Sequence, residues 1–279
     1  MKILVTGANG MLAKAVREKF KNEELILTDV DDLDITKYDK VLEFVNKCNP
    51  DVIINCAAYT AVDKAEDDME LAKKINADGP KNLSVAAKSN NCIFVHISTD
   101  YVFGGLKPIE EDYSEDDNKN PETVYGITKL EGEQKIEENT DKYYIFRTAW
   151  LYGDGNNFVR TMLKLGKEKD ELSVVADQHG SPTYAVDLAD IIYQAINKKI
   201  PYGIYHTTNL GYTTWYDFTK EIFDIANITC NVKPVTTEEF PRPAKRPKNS
   251  QMSKEKILKE GIIIPEWKDA LKRYIETEI

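Results

Sequence analysis

The chain has 279 residues, enough for one or two domains of ordinary size. Apolar residues make up 42% and charged residues 30%, which excludes a disordered chain and is typical of a globular protein. The 37 basic and 47 acidic residues give a net charge of −10, which disfavours nucleic acids and anionic membranes as partners. No apolar run reaches the roughly 18 residues of a membrane span, and residues 1–10 lack the features of a signal peptide. We therefore expect a cytoplasmic protein that must attract any anionic ligand through local positive charge.

Short apolar segments alternate with amphipathic segments through the first 150 residues. The apolar segments predict strands, and those between them have helical spacing. The predicted strands are Lys2–Thr6, Glu24–Thr28, Asp51–Asn55, Cys92–Ile97 and Tyr143–Arg147, and the predicted helices are Met11–Phe20, Tyr38–Lys47 and Glu66–Lys88. Near-continuous apolar strands separated by helices are typical of a parallel sheet that is covered on both faces. Right-handed crossovers then favour a Rossmann-type, doubly wound α/β fold.

After Trp150 the pattern changes to that of a smaller, mixed α/β unit. The predicted elements here are helices over Asn156–Lys167, Val186–Ile196, Tyr216–Ala226 and Trp267–Glu276, and strands over Leu172–Val175 and Gly203–His206. Four prolines between Val232 and Asn249 exclude a regular helix there. We predict a cofactor-binding domain over residues 1–150, to which the chain returns around 180–200, and a substrate-binding domain over residues 151–279. The acidic stretch Glu110–Asp117 is predicted to be a solvated loop.

The cysteines and histidines do not predict a metal site. The four cysteines are scattered and form no CxxC pair, and no histidine lies at ligand spacing from them. His96 alternates with apolar residues in the run CIFVHIS, so we interpret it as a strand residue rather than a base.

The first motif with chemical content follows the first predicted strand. Gly7, Gly10 and Ala13 form a GxxGxxA pattern between a strand and a helix. Glycines there allow a tight turn and a close approach of backbone N–H groups to a pyrophosphate, and the small third residue lets the helix pack on the strand. A plain strand-to-helix turn would also account for the glycines.

An acidic segment near the end of the second strand favours NADH over NADPH. Asp29 lies 22 residues after Gly7, where a carboxylate binds the ribose hydroxyls, although it could instead cap a helix or a turn. Its neighbours would repel a 2′-phosphate, and no basic residue lies between Lys21 and Lys37. These neighbours are Asp31, Asp32 and Asp34.

A second motif, YxxxK, consists of Tyr125 and Lys129. Their spacing places both side chains on one face of a helix, and Pro121 suits its first turn. A cation one turn away favours the phenolate, which would bring the tyrosine pKa toward working pH. Taken alone, the pair could equally be a surface tyrosine beside a solvated lysine.

The third feature is the segment 98–104, SerThrAspTyrValPheGly, which follows the predicted strand ending at Ile97. Ligands of doubly wound sheets bind outside the carboxyl ends of the strands, so hydroxyls at Ser98 and Thr99 could bind a substrate carbonyl. The other interpretation is that they cap the end of the strand.

These features, in this order, resemble the extended short-chain dehydrogenase/reductase superfamily. Five further sequence segments resemble one branch of it, the dTDP-4-dehydrorhamnose reductase family. They are AAYTAVDKAE (57–66), Asn76-Ala77, HISTDYVFGG (96–105), RTAWLYG (147–153) and DQHGSPTYAVDLA (177–189). The resemblance implies reduction of dTDP-4-dehydro-6-deoxy-L-mannose to dTDP-L-rhamnose. On the charge around Asp29 we expect NADH to be the preferred reductant, with NADPH as the alternative.

The resemblance also implies roles for individual residues. Tyr125 would be the general acid, Lys129 its modulator and ribose anchor, and Thr99 with Ser98 the carbonyl partners. The cofactor would contact Gly7, Asn9, Gly10, Met11, Leu12, Asp29, Asp34, Ile35, Cys56, Ala57, Ala58, Tyr59, Asn76, Ser98, Tyr125 and Lys129. The dTDP-sugar would contact Thr99, Asp100, Tyr101, Val102, Trp150, Asn157, Gln178, Ser181, Arg242 and Arg246. The two arginines would supply the local positive charge, although a surface placement is the alternative for both.

At two positions this chain differs from related enzymes, and these differences bear on its reaction and on its oligomeric state. Related dehydratases carry an acidic residue where this chain has Tyr101, so the chain resembles a reductase more than a dehydratase. Some family members dimerise through Mg²⁺ held by a glutamate at the position of Ala15, so we expect no Mg²⁺ and a monomer or weak homodimer. Two other functions stay open: a regulatory subunit like the β subunit of methionine adenosyltransferase, and a nucleotide-sugar epimerase. The intact set of Tyr125, Lys129 and Thr99 favours a reductase.

Overall fold

The computed structural model describes residues 1–279 and contains helices, strands and two short helical turns of other types. The helices are α1 (Met11–Lys19), α2 (Tyr38–Cys48), α3 (Val62–Ala65), α4 (Met69–Lys73), α5 (Gly79–Ser89), α6 (Val124–Asn139), α7 (Phe158–Glu168), α8 (Ala185–Lys198), α9 (Trp215–Ala226), α10 (Glu255–Lys259) and α11 (Trp267–Glu278). The strands are β1 (Lys2–Thr6), β2 (Glu24–Thr28), β3 (Val52–Asn55), β4 (Ile93–Thr99), β5 (Tyr143–Thr148), β6 (Leu151–Tyr152), β7 (Glu171–Val175), β8 (His179–Gly180), β9 (Thr183–Tyr184), β10 (Gly203–His206), β11 (Thr213–Thr214) and β12 (Asn231–Val235). None of the helices combines the length and apolarity required to cross a bilayer.

The main sheet has six parallel strands in the order β2-β1-β3-β4-β5-β10. The predicted doubly wound α/β fold is therefore confirmed. The order reverses between β1 and β3, and a crevice forms outside the carboxyl ends of strands at such a switch point. The register places Thr6 beside Asn55 and Asn55 beside His96, so these three side chains share one face of the sheet.

Three large hydrophobic clusters hold the molecule together, and the third packs α2 and α5 against the face of the main sheet opposite the first. The first lies on one face of the sheet and joins Val5 of β1 and Val16 of α1 to Ile191 of α8 and Tyr205 of β10. Ile264, close to the C-terminus, is buried in this same cluster. The second cluster contains residues of β7, α7, α9 and α11. The sheet thus takes its sixth strand and one covering helix from the second half of the chain.

The structure refines several local predictions. The helical stretch predicted from about Glu66 to Lys88 is confirmed from Met69 onward, where α4, a π-helical turn at Lys74–Asp78 and α5 follow one another without a break. Pro80 lies in the first turn of α5, and its missing N–H group prevents an uninterrupted α-helical ladder. Pro121 lies before α6 rather than in its first turn, because the side chain of Thr123 caps the helix by accepting from the N–H of Gly126.

The acidic segment 110–117 is only partly solvated. Glu115 is buried, and its Oε1 accepts a 2.9 Å hydrogen bond from the backbone N–H of His206. Asp117 binds Lys107 at 2.6 Å. The prediction of a solvated loop is therefore wrong at Glu115, because the β10 backbone requires an acceptor there.

Candidate active site

Two adjoining cavities follow the carboxyl edge of the sheet, with volumes of about 520 and 410 Å³. Both are lined by Gly10 and by residues 56–58, which follow β1 and β3 at the switch point. The smaller cavity extends to Asp29, and the larger one extends past Tyr125 to Trp150. The result is one elongated crevice in which a long ligand could contact β2 at one end and β5 at the other.

The backbone of the turn after β1 lies very close to the backbone that follows β3. Gly7 adopts φ +67°, and a Cβ at this position would lie 2.7 Å from the backbone nitrogen of Ala57. Only glycine fits both the left-handed backbone and the contact. Helix α1 begins directly after Gly10, and no side chain caps it. Its first N–H groups are therefore available to an anion in the crevice.

Asp29 shapes the neighbouring loop and lines the smaller cavity. Its carboxylate accepts hydrogen bonds from the backbone N–H groups of Asn9 at 2.9 Å and Val30 at 2.8 Å. The Asp34 carboxylate similarly accepts from the N–H and hydroxyl groups of Thr36. These contacts correspond to the turn-capping interpretation, and they also hold the Asp29 carboxylate fixed at the cavity wall.

Tyr125 lies in the first turn of α6 and lines the larger cavity. Its ring is contacted edge-on by that of Tyr101, with centroids 5.5 Å apart. Burial raises the pKa of Tyr125 to about 12, opposed in part by the neighbouring Thr99 hydroxyl. The expected lowering of this pKa by Lys129 is therefore absent, and the phenol stays protonated near neutral pH.

Lys129, one turn further along α6, is buried at the same cavity. Its Nζ donates a hydrogen bond to the carbonyl oxygen of Ile97 and lies 3.1 Å from Nε2 of His96. Burial lowers the pKa of Lys129 to about 8, opposed by the charge of Glu133. Sequence reasoning missed the part of His96 in this arrangement. The signal was its position two residues before Ser98, which puts both side chains on one face of β4.

The end of β4 presents three polar side chains to the larger cavity. Thr99 donates a 2.8 Å hydrogen bond to Asp100, whose pKa burial raises to about 6 against the lowering effect of its hydrogen bonds. The Ser98 hydroxyl is buried without a partner. Buried polar atoms are nearly always hydrogen-bonded, so an orphaned hydroxyl at a cavity wall indicates a place that a ligand completes.

The far end of the larger cavity is aromatic and basic. The indole of Trp150 stacks on that of Trp215 with centroids 3.7 Å apart. Gln178 lines the same end and donates to the Thr237 hydroxyl at 3.1 Å. The guanidinium of Arg246 also lines it.

Comparison with known proteins identifies the family to which a chain with this crevice belongs. A family model described as the RmlD substrate binding domain matches residues 1–279. The dTDP-4-dehydrorhamnose reductase of Aggregatibacter actinomycetemcomitans is 41% identical over 97% of this chain and 97% of its own length. This chain belongs to the dTDP-4-dehydrorhamnose reductase family. The predicted family is thus confirmed.

Solved structures of dTDP-4-dehydrorhamnose reductases share the whole architecture. That of the Clostridium acetobutylicum protein is 54% identical, covers 100% of this chain and 99% of its own, and has a TM-score of 0.96. That of the Bacillus anthracis protein, in complex with NADP, is 44% identical over 99% of both chains with a TM-score of 0.95.

Four residues that the dTDP-4-dehydrorhamnose reductase resemblance assigned to the sugar nucleotide lie outside the wall of the larger cavity. Val102 is buried in a small apolar cluster. Asn157 caps α7 and donates to Tyr274, and Ser181 donates to the carbonyl of Gly211. Arg242 is exposed, with its guanidinium 4.7 Å from the ring centroid of Phe240.

Three residues predicted to contact the cofactor, Asn9, Tyr59 and Asn76, lie outside the walls of both cavities. The Asn76 amide accepts from the N–H of Tyr59 and donates to its carbonyl, which holds the loop after β3 in place. Sequence reasoning also missed several residues that line the larger cavity, namely Thr60, Val62, Asn156, Trp215, Pro247 and Ser250. Trp215 and Ser250 come from distant segments that no local pattern indicates, whereas Thr60 and Val62 lie within the segment 57–66, and Asn156 and Pro247 adjoin predicted residues.

Proposed function

We propose that this protein reduces the 4-keto group of dTDP-4-dehydro-6-deoxy-L-mannose to give dTDP-L-rhamnose, with NADH or NADPH as reductant. The observation that carries the proposal is the position of Tyr125 and Lys129, which line one cavity together with Ser98 and Thr99. The family relationship supplies the substrate class, and the cavity supplies the groups that the chemistry requires.

The crevice fits a nicotinamide dinucleotide. The close turn at Gly7 and the uncapped start of α1 suit a pyrophosphate, and the fixed carboxylate of Asp29 suits the hydroxyls of a ribose. The other residues proposed to hold it are Asn9, Gly10, Met11, Leu12, Asp34, Ile35, Cys56, Ala57, Ala58, Tyr59, Asn76, Ser98, Tyr125 and Lys129. When bound, the cofactor supplies the hydride.

Tyr125 is the proposed proton donor. A pKa of about 12 keeps its phenol protonated before reaction, as a donor requires. The hydroxyls of Thr99 and Ser98 would bind the carbonyl oxygen, and the phenol would give up its proton as negative charge develops there. Lys129, one turn away, would stabilise the phenolate that remains.

Arg246 is the proposed source of the local positive charge that a nucleoside diphosphate requires. We propose that Trp150 and Gln178 contact the sugar nucleotide at the same end, with Asp100 and Tyr101 nearer the reacting carbon. Asn157 and Ser181 would act by shaping the wall, because their side chains are already engaged in capping and loop contacts.

We also propose a cytoplasmic location, a monomer or weak homodimer, and preference for NADH. The support for that preference is the acidic segment at Asp29, and the NADP found with the Bacillus anthracis relative opposes it. The proposed division is a cofactor unit over residues 1–150 with a return around 180–200, and a substrate unit over the rest of 151–279.

The test is incubation of the purified protein with dTDP-4-dehydrorhamnose and either NADH or NADPH. We expect stoichiometric oxidation of the reduced cofactor and formation of the 4-hydroxy sugar, identified by NMR. No oxidation with either cofactor would favour the regulatory-subunit function. Interconversion of C4 epimers by protein with tightly bound NAD, without net oxidation, would favour an epimerase.

A further inference from the structure

A line of buried polar side chains crosses three strands and ends at Lys129. Thr6 of β1 donates a 2.7 Å hydrogen bond to Oδ1 of Asn55 on β3. Nδ2 of Asn55 lies 3.0 Å from Nδ1 of His96 on β4, and Nε2 of His96 lies 3.1 Å from Nζ of Lys129. All four side chains are buried.

The orientation of the Asn55 amide is fixed by the backbone. The N–H of Ala57 donates to Oδ1 of Asn55 at 3.1 Å, and a backbone N–H cannot act as an acceptor. The amide nitrogen therefore faces His96 and donates to Nδ1. A neutral imidazole that accepts at Nδ1 carries its hydrogen on Nε2.

That hydrogen points at Lys129. An ammonium group has three donors and no acceptor, so it cannot form a hydrogen bond with an N–H group. A free amine has one lone pair that can accept from Nε2–H of His96 and two hydrogens, of which one can bind the carbonyl of Ile97. The contacts of Lys129 are thus fully complementary only when the lysine is uncharged.

We propose that His96, fixed by Asn55, is a positioning residue that favours the free amine of Lys129 in the unliganded enzyme and so sets the pH at which this lysine becomes charged. The functional consequence of this charge rests on the proposed function, whereas the protonation itself does not. The loss of kcat/KM at alkaline pH would then reflect deprotonation of Lys129 in the free enzyme, and the contact with His96 would set the pH at which it occurs.

Among the side chains near Lys129, His96 is the one within hydrogen-bonding distance of its Nζ. Glu133, one turn along α6, is bound through both oxygens by Arg147 of β5 at 2.6 and 2.9 Å. Asp100 after β4 and Tyr125 on α6 line the same cavity. Further charges on adjacent elements form the ion pairs Asp78–Lys135, Lys73–Glu131 and Asp63–Arg246. Burial itself lowers the pKa of Lys129 to about 8 against the charge of Glu133, and the contact with His96 acts in addition to these two effects.

The first test is the tautomer of His96, read by long-range ¹H–¹⁵N NMR of the intact protein. The chain has three histidines, and His96→Gln assigns the signal. We expect a neutral ring with hydrogen on Nε2 from pH 6 to 9. A ring with hydrogen on Nδ1, or an imidazolium at neutral pH, would overturn the proposal whether or not the protein is active.

The second test reverses the tautomer with Asn55→Asp. A carboxylate in this position accepts from Nδ1–H, which leaves the lone pair of Nε2 to accept from a charged Lys129. We expect the titration midpoint of Lys129, followed by NMR of the ¹³Cε signal in lysine-labelled protein, to rise by at least one pH unit. His96→Gln, which also offers an oxygen acceptor, should raise it similarly.

The matched control is Asn118→Asp, which adds the same charge at an exposed position and should leave the midpoint unchanged. The kcat/KM profile should shift with the midpoint in both test variants. If Asn55→Asp does not fold, the His96→Gln titration decides. An unchanged midpoint in His96→Gln would contradict the proposal, whereas an inactive protein with the expected tautomer and midpoints would contradict only the proposed function.

Discussion

Arg246 donates a 2.9 Å hydrogen bond to Asp63 at the edge of the larger cavity. Arg246 and Lys129 are the basic residues that line this cavity, and Lys129 lies at the proposed reacting end. The Arg246 guanidinium is also held by the carbonyl of Ala244 at 2.9 Å, so it is fixed in place before a ligand arrives. In a protein of net charge −10, this fixed cation is the proposed anchor for an anionic nucleotide.

Arg246→Met should weaken substrate binding more than it slows turnover. A hydrogen bond to a charged group contributes about 1.5–3 kcal/mol, so KM for the sugar nucleotide should rise roughly 10- to 100-fold. Turnover should change only a few-fold in steady-state assays. Arg242→Met is the matched control and should leave KM nearly unchanged, because Arg242 is exposed outside the cavity wall. Equal effects of the two variants would exclude the anchoring role.

Tyr125→Phe should abolish most turnover without loss of cofactor affinity. General acid catalysis contributes about 10²- to 10⁴-fold, so kcat should fall by that amount in a single-turnover assay. The dissociation constant of NADH, measured by fluorescence, should stay within about threefold. Tyr101→Phe removes a neighbouring hydroxyl and should have a much smaller effect on kcat. Near-normal turnover of Tyr125→Phe would remove the phenol from the mechanism.

Asp29→Asn should shift cofactor preference toward NADPH. The change removes the charge that would repel a 2′-phosphate and weakens the bonds from Asn9 and Val30. We expect the ratio of kcat/KM for NADH to that for NADPH to fall at least tenfold. Asp31→Asn, at an exposed neighbouring position, should change the ratio little. If both variants behave alike, general acidity rather than the Asp29 contact sets the preference.

Gly7→Ala tests the tight turn after β1. The left-handed backbone and the contact with Ala57 should together lower the free energy of unfolding by roughly 2–4 kcal/mol. Gly261→Ala is the control for conformation alone, since Gly261 has φ +74° but no backbone atom that close. It should lower the free energy of unfolding by about 1 kcal/mol. Urea denaturation measures both changes, and equal losses would mean that the contact is unimportant.

Lys129→Met should stabilise the fold at neutral pH and less so at alkaline pH. The pKa of Lys129 falls from its ordinary value of 10.5 to about 8 on folding, so charging the lysine opposes folding below pH 8. This difference corresponds to up to about 3 kcal/mol, reduced by the lost hydrogen bond to Ile97. The gain should shrink as pH rises from 8 to 10.5, as measured by denaturation at several pH values. The exposed Lys81→Met should show no such trend.

The part of the crevice along β1, β3 and α6 could be predicted from sequence because its signals are local. Apolar runs specify buried parallel strands, and Gly7 with Gly10 or Tyr125 with Lys129 lie within one turn or helix. The end of the crevice at Trp150 is assembled from segments far apart in the chain, so nothing near Trp150 indicates that Trp215 stacks on it. Ser181 lies in a segment that resembles the family and Asn157 was assigned by the same resemblance, yet local capping and loop contacts engage both side chains. Glu115 was misjudged because its acceptor role depends on the later strand β10.

The sixth strand has a consequence for how the protein can be made. β10 and α8 follow a segment, residues 158–175, whose side chains contribute to the second cluster, and Ile264 packs back onto the first. During synthesis the sheet therefore stays open along β5 until residues 203–206 have emerged. A fragment ending near residue 150 would expose apolar surface that α8 and β10 normally cover, so we expect it to aggregate rather than bind cofactor. The two halves of the chain have different proposed roles, but we do not expect either half to fold when it is expressed alone.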